Sequence, residues 1–210
     1  SAGRLFDRIR EVRGLNYGDY AYIEYFPRGM FRFEPEPNLV RRQQIFQIWI
    51  RPVEPASAHF ALRLALYELD KVVRDGIPEA GFARARSFLL KNAGSLLKTR
   101  QAELGYALDS RFYGIPAYDA YLRAALPKLT AEQVTAAIRK HWTSDAIRIV
   151  AVAKNCDELK RKLVANSVSA IKYNSPKPAA IAEEDKIVER WRIPLTAENV
   201  RIVAADSVFE

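Results

Sequence analysis

Arg10 and Tyr17 flank a helix stop in the stretch Arg8-Ile9-Arg10-Glu11-Val12-Arg13-Gly14-Leu15-Asn16-Tyr17. A glycine in the left-handed conformation ends a helix and turns the chain sharply, because it has no Cβ to clash. Such a turn brings the last helical turn and the first residue of the next segment onto one side, so a cation and a phenol converge. The cation keeps its charge at any ordinary pH and is suited to hold a carbonyl. The phenol can donate a hydrogen bond to an oxygen on which negative charge develops. The same cap predicts that Leu15 packs back toward Ile9 and that the Leu15 amide bonds to the Arg10 carbonyl.

Other chemistry-bearing residues form no motif. The two histidines, His59 and His141, belong to neither an H-x-x-E-H sequence nor its inverse, and no glycine-rich phosphate loop is present. The chain by itself therefore carries no zinc site and no metal ligands. His59 falls at a helix start and His141 at a helix end, where a cation suits the helix dipole, and both read as structural. Glu183-Glu184-Asp185 lies in a polar tail and reads as solvated surface. Tyr106, Tyr113, Tyr118 and Tyr121 cluster about a helix break and read as the rim of a core. Cys156, the one cysteine, excludes an intrachain disulfide and reads as a semi-buried helix residue.

Composition bounds the partners. With 49% hydrophobic residues, 210 residues can bury a core as one domain or two closely packed ones. The net charge of +8 suggests an acidic partner, but basic and acidic residues are interspersed, as in Asp7-Arg8-Ile9-Arg10-Glu11. That is the pattern of solvated helix faces, and it argues against nucleic acid. The longest apolar runs, such as residues 147–153, fall far short of the roughly 20 residues that span a bilayer. No membrane span and no export signal within the chain are expected.

The elements that must position Arg10 and Tyr17 follow from periodicity. Leu5, Phe6, Ile9 and Val12 recur at helical spacing, which predicts a short helix ending at Arg13. Residues 17–26 and 43–51 alternate and are rich in aromatic and β-branched types, as strands are. In the second, Phe46, Ile48 and Ile50 share one face, while Gln47, Trp49 and Arg51 share the other, a candidate lining. Pro55 opens a helix with Leu62, Leu66, Leu69 and Val73 on one stripe, closed by Gly76 and Pro78. A second long helix is expected over residues 79–108, interrupted near Gly94 or Gly105, with Phe82, Ala85, Leu89 and Leu96 inward. Shorter helices follow over 117–125, broken by Pro127, from Thr130 to Trp142, and over 156–164. Residues 147–153 read as a buried strand, and 168–173, 187–193 and 200–203 as short strands of a tail strapped to the body. This mixture predicts an α+β fold, a mostly antiparallel sheet with long helices packed on one face.

Arg10, Gly14, Leu15 and Tyr17 match, in register, the R-x-x-x-G-L-x-Y pattern carried by the half of insulinase-type (pitrilysin-family) metallopeptidases that lacks zinc. The chain resembles that half over roughly residues 4–165. The strand-rich segment, the paired long helices, the helix start Leu129-Thr130-Ala131-Glu132-Gln133-Val134 and the 147–153 segment follow in family order. The tail, with Tyr173-Asn174-Ser175-Pro176-Lys177-Pro178, looks like the C-terminal extension of bacterial zinc proteases of the family.

The resemblance implies a domain over 1–165 that lacks its first strand and helix, with 166–210 packing on it. It implies no cofactor in this chain and zinc in a partner half, joined to it in one chain or separate, which supplies two histidines and a glutamate. Tyr17 would then stabilise the developing oxyanion of a peptide bond under attack, Arg10 would hold a peptide carbonyl, and Trp49 would line the substrate chamber. Peptide would add to a sheet edge. A fragment of this kind is expected to leave an edge that a second copy or the zinc-bearing half fills, and bacterial relatives point to the periplasm or cell envelope. The alternative is a non-catalytic scaffold, as inactive relatives are in respiratory complexes.

Overall fold

In a computed structural model, residues 3–23, 37–38 and 45–208 are described. They divide into two compact units, one of Ser1–Ala21, Ile48–Asp70 and Thr143–Glu210, the other of Tyr22–Gln47 and Lys71–Trp142.

The first unit begins with a π-helical segment, Phe6–Glu11, in which the Val12 amide bonds back to Asp7. Gly14, at φ +67°, ends it where the sequence predicts. Strand β1 (Asp19–Ile23) pairs antiparallel with β2 (Phe46–Ile50). Of the predicted strands, positions 24–26 and 43–44 lie outside the described residues. Ile48 and Ile50 pack against the core, and Trp49 faces outward, as period-two alternation requires. Helix α1 (Ala58–Asp75) follows a 3-10 turn opened by Pro55. Its stripe supplies Phe60, Leu64 and Ala65 to a cluster with Ile9 and Val188, all essentially without solvent exposure. Leu66 joins a second cluster with Leu163 and Ile193.

The expected mostly antiparallel sheet is not found. The chain is mostly helical, with two strands among the described residues. Residues 147–153 are not a strand: Ile149 packs against the second cluster, but Val150 and Val152 are 91% and 99% exposed. β-branched composition favours a strand only where neighbouring strands and a packing surface receive it, and none does so here among the described residues. Residues 168–173 and 200–203 are likewise irregular. Ile187 lies in a helix, while Ile193 is buried in an irregular segment.

The other helices of this unit are α6 (Cys156–Val164) and α7 (Ala179–Val188). Asn155 caps α6 by accepting from the Glu158 amide at 3.2 Å. Pro178 opens α7, in keeping with the preference for proline at helix starts.

The second unit is helical. It contains α2 (Glu79–Asn92), α3 (Arg100–Tyr113), α4 (Tyr118–Ala125) and α5 (Ala131–His141). The break falls beside Gly94, in a 3-10 turn, and α3 restarts at the Thr99 cap and runs past Leu108. Phe82 is buried, whereas Ala85 is exposed. Thr130 and Gln133 form a reciprocal capping box at the start of α5. Tyr106 is buried and stacks on Tyr118 with ring centroids 4.6 Å apart, while Tyr113 and Tyr121 are exposed.

Candidate functional site

The π-helical turn and the Gly14 reversal bring Arg10 and Tyr17 together. The Gly14 amide donates to the Arg10 carbonyl at 2.7 Å, and the Leu15 amide donates to Ile9, at 3.1 Å, instead of to Arg10. The expected cap is thus displaced by one residue, because a π-helix closes its hydrogen bonds five residues back where an α-helix closes them four back. Leu15 packs against the cluster that contains Ile9.

The Arg10 guanidinium carbon lies 4.6 Å from the Tyr17 ring centroid and the same 4.6 Å from that of Phe6. It thus lies over two rings, and the quadrupole of each aromatic face attracts the cation. Arg10 Nε also approaches Glu11 Oε1 at 3.5 Å, too long for a strong hydrogen bond. Tyr17 is 72% exposed.

The turn that carries Tyr17 is anchored from beneath. Asn16 Nδ2 donates to Asp19 Oδ1 at 2.7 Å and to the Arg51 carbonyl at 3.2 Å. The Asp19 carboxyl also accepts from the Arg51 amide. It is buried, and burial raises it to a pKa of about 6, against the lowering effect of the bonds from Asn16 and Arg51. Sequence reasoning singled out Arg10 and Tyr17 but missed Asn16 and Asp19, which lack a motif. It placed Phe6 only as an apolar helix position. The available signal was its spacing four residues before Arg10, which puts the two on one helix face. Trp49 stands on the outward face of β2, 37% exposed.

The acidic tail residues are not all solvated surface, as their sequence suggests. Glu183 is exposed, but Glu184 and Asp185 face inward from α7 onto arginines of the N-terminal segment. Arg13 Nε donates to Asp185 Oδ1 at 2.9 Å, and Arg13 Nη2 donates to Glu184 Oε2 at 2.7 Å. Arg8 bridges Glu184 and Glu68, the latter at 2.8 Å, and Arg4 also reaches Glu68 at 3.1 Å. The Tyr173 hydroxyl donates to Asp185 at 2.6 Å. Burial, followed by that bond, lifts the phenol above its ordinary range. The carboxylates and guanidinium groups of this network are joined by charge-assisted hydrogen bonds.

His59 is buried in the first unit, and its Nε2 has no hydrogen-bond partner among the described residues. Burial, then the charges of Arg63 and Lys162, lower its pKa to about 4, so it is neutral at pH 7. His141 is exposed at the end of α5. Among the described residues no three His, Cys, Asp or Glu side chains are grouped to hold a metal ion, and no helix is long and apolar enough to cross a membrane. No protein-family model, curated protein or solved structure matches the chain.

Proposed function

We propose that this chain is the non-zinc half of an insulinase-type metalloendopeptidase. In this reading it binds short or unfolded peptide and supplies Arg10 and Tyr17 to the active site of a zinc-bearing half. The observation that carries it is the contact of the Arg10 guanidinium with the ring of an exposed Tyr17, on residues that stand in the R-x-x-x-G-L-x-Y register.

In this reading the zinc belongs to the partner half. Zinc held there supplies a nucleophile at neutral pH and a Lewis acid for the scissile carbonyl. The residues of this chain bind and orient. Tyr17 Oη donates a hydrogen bond to the carbonyl oxygen as negative charge grows on it, an interaction stronger in the transition state than in the ground state. Arg10 lies against the ring of Tyr17 and restricts the directions the phenol takes. It also offers planar N–H donors to a neighbouring peptide carbonyl.

Peptide hydrolysis by the complete two-half protein, native against Tyr17→Phe, tests this reading, with the isolated chain plus zinc as the inactive control. A fall on the order of a hundredfold in turnover at unchanged zinc content supports it. Unchanged turnover removes Tyr17 from the mechanism. Absence of hydrolysis in the native protein favours a scaffold.

A further inference from the structure

We infer that Phe6 is a positioning residue for the Arg10 and Tyr17 pair, an inference that rests on the function proposed above. Three contacts and one peptide bond close a ring. Phe6 and Arg10 lie one helical turn apart, and the guanidinium sits over the Phe6 ring. The guanidinium also sits over the Tyr17 ring, at the same 4.6 Å separation. Tyr17 is followed by Gly18, which is buried, and a Cβ placed on Gly18 would lie 3.6 Å from both Cδ2 and Cε2 of Phe6. The Phe6 ring therefore lies close to the turn that presents Tyr17.

This placement gives Phe6 two effects on one side chain. A long arginine on an open surface samples many rotamers, and ordering it costs conformational entropy at the moment of binding. One ring leaves the guanidinium freer to swing away, whereas a second ring restrains it further. Phe6 also lies close to Gly18, in the turn that presents Tyr17. Asn16 and Asp19 anchor the same turn from the β2 side, so the segment that Phe6 approaches is itself held. Preorganisation of this kind lowers the cost of reaching the transition state without adding a contact to the substrate.

The test reads Arg10 directly in the 210-residue chain by nuclear magnetic resonance. Two flanking rings displace the Arg10 Hδ resonances upfield through their ring currents. Phe6→Leu is expected to move those resonances toward the values of a free arginine, and Phe6→Tyr, which restores a ring, to return them. Native-like Arg10 resonances in Phe6→Leu overturn the inference. In the complete two-half protein, Phe6→Leu is expected to lower kcat by roughly two- to fivefold, the size of an exposed cation–π contact, and Phe6→Tyr to recover it. Displaced resonances with unchanged kcat show a contact with no positioning role, which also overturns the inference. If the native protein hydrolyses no peptide, the peptidase reading fails, and the resonances alone decide whether Phe6 confines Arg10.

Discussion

Arg13 Nε and Asp185 Oδ1 meet at 2.9 Å across 172 residues of sequence, with the arginine side chain wholly buried. Their pairing ties helix α7 to the segment that carries Arg10 and Tyr17. The lengths of chain on either side are irrelevant to its strength once the fold has formed. What matters is that each buried charge faces a partner.

Removing one member of that pair strands a charge away from water. We predict that Asp185→Ala lowers the unfolding free energy by about 3 kcal/mol, the lower end of the range for breaking a buried ion pair, because Glu184 still faces Arg13. Urea denaturation measures it. A loss below about 1 kcal/mol would show that Arg13 is solvated in the native protein.

Arg63 is a second buried cation, and it bonds mainly to main-chain carbonyls. Its guanidinium donates to the carbonyls of Ser167, Asn166 and Glu189 and to the side chains of Asn166 and Ser169. Arg63→Lys keeps the charge but loses the planar fork that serves several acceptors at once. The expected outcome is faster amide hydrogen exchange over residues 166–190, with the α2 to α5 helices unchanged. Uniform exchange rates across both units would contradict it.

Asp19 and His59 give stability opposing dependences on pH. The Asp19 pKa is raised from 3.8 to about 6 on folding, so the folded protein holds its proton more tightly, and stability is lost as pH rises from about 4 to about 6. The His59 pKa is lowered from 6.5 to about 4, so stability is lost as pH falls through that same window. Each shift of about two units corresponds to roughly 3 kcal/mol at most. We predict that the difference in stability between native protein and Asp19→Asn changes sign of slope relative to the difference for His59→Gln between pH 4 and 6. Parallel slopes in the two differences would refute the assignment.

Two glycines with left-handed backbones separate conformational strain from steric conflict. A Cβ on Gly14, at φ +67°, meets nothing within 4 Å, so Gly14→Ala is expected to cost only the left-handed backbone term, about 1 kcal/mol. A Cβ on Gly76, at φ +79°, would fall 2.8 Å from Thr135 Cγ2. Thr135 cannot turn aside freely, because its hydroxyl accepts from the Ile77 amide at 3.2 Å. Gly76→Ala is therefore expected to cost at least about 1 kcal/mol more than Gly14→Ala. Equal melting temperatures for the two variants would count against the packing of α1's end on α5.

Arg10→Lys tests the shape of the cation apart from its charge. Lysine keeps the charge but has no plane to lie over the rings of Phe6 and Tyr17. Peptide hydrolysis by the complete two-half protein is expected to fall several-fold in kcat. Retention of full activity would mean that a point charge suffices.

The helix ends were legible in the sequence because their causes are local. Gly14 and Gly76 stop helices by their own backbone freedom, Thr130 starts one with its own hydroxyl, and α6 has the predicted limits because Asn155 caps it within three residues. Arg10 and Tyr17 converge for the same reason, since one turn separates them. A strand cannot be determined in this way. Residues 147–153 have strand composition, yet a strand exists only where another chain segment accepts its hydrogen bonds, and Val150 and Val152 face solvent instead. Helix α7 eluded the reading because its acids looked solvated, and only the fold brings Arg8 and Arg13 to Glu184 and Asp185. The sequence by itself determined the helix ends that carry a local cap or stop, such as Gly14, Gly76, Thr130 and Asn155, and which residues sit beside the Gly14 turn. The tertiary structure alone decided which β-rich segments pair and which charges are buried, because both depend on partners far away along the chain.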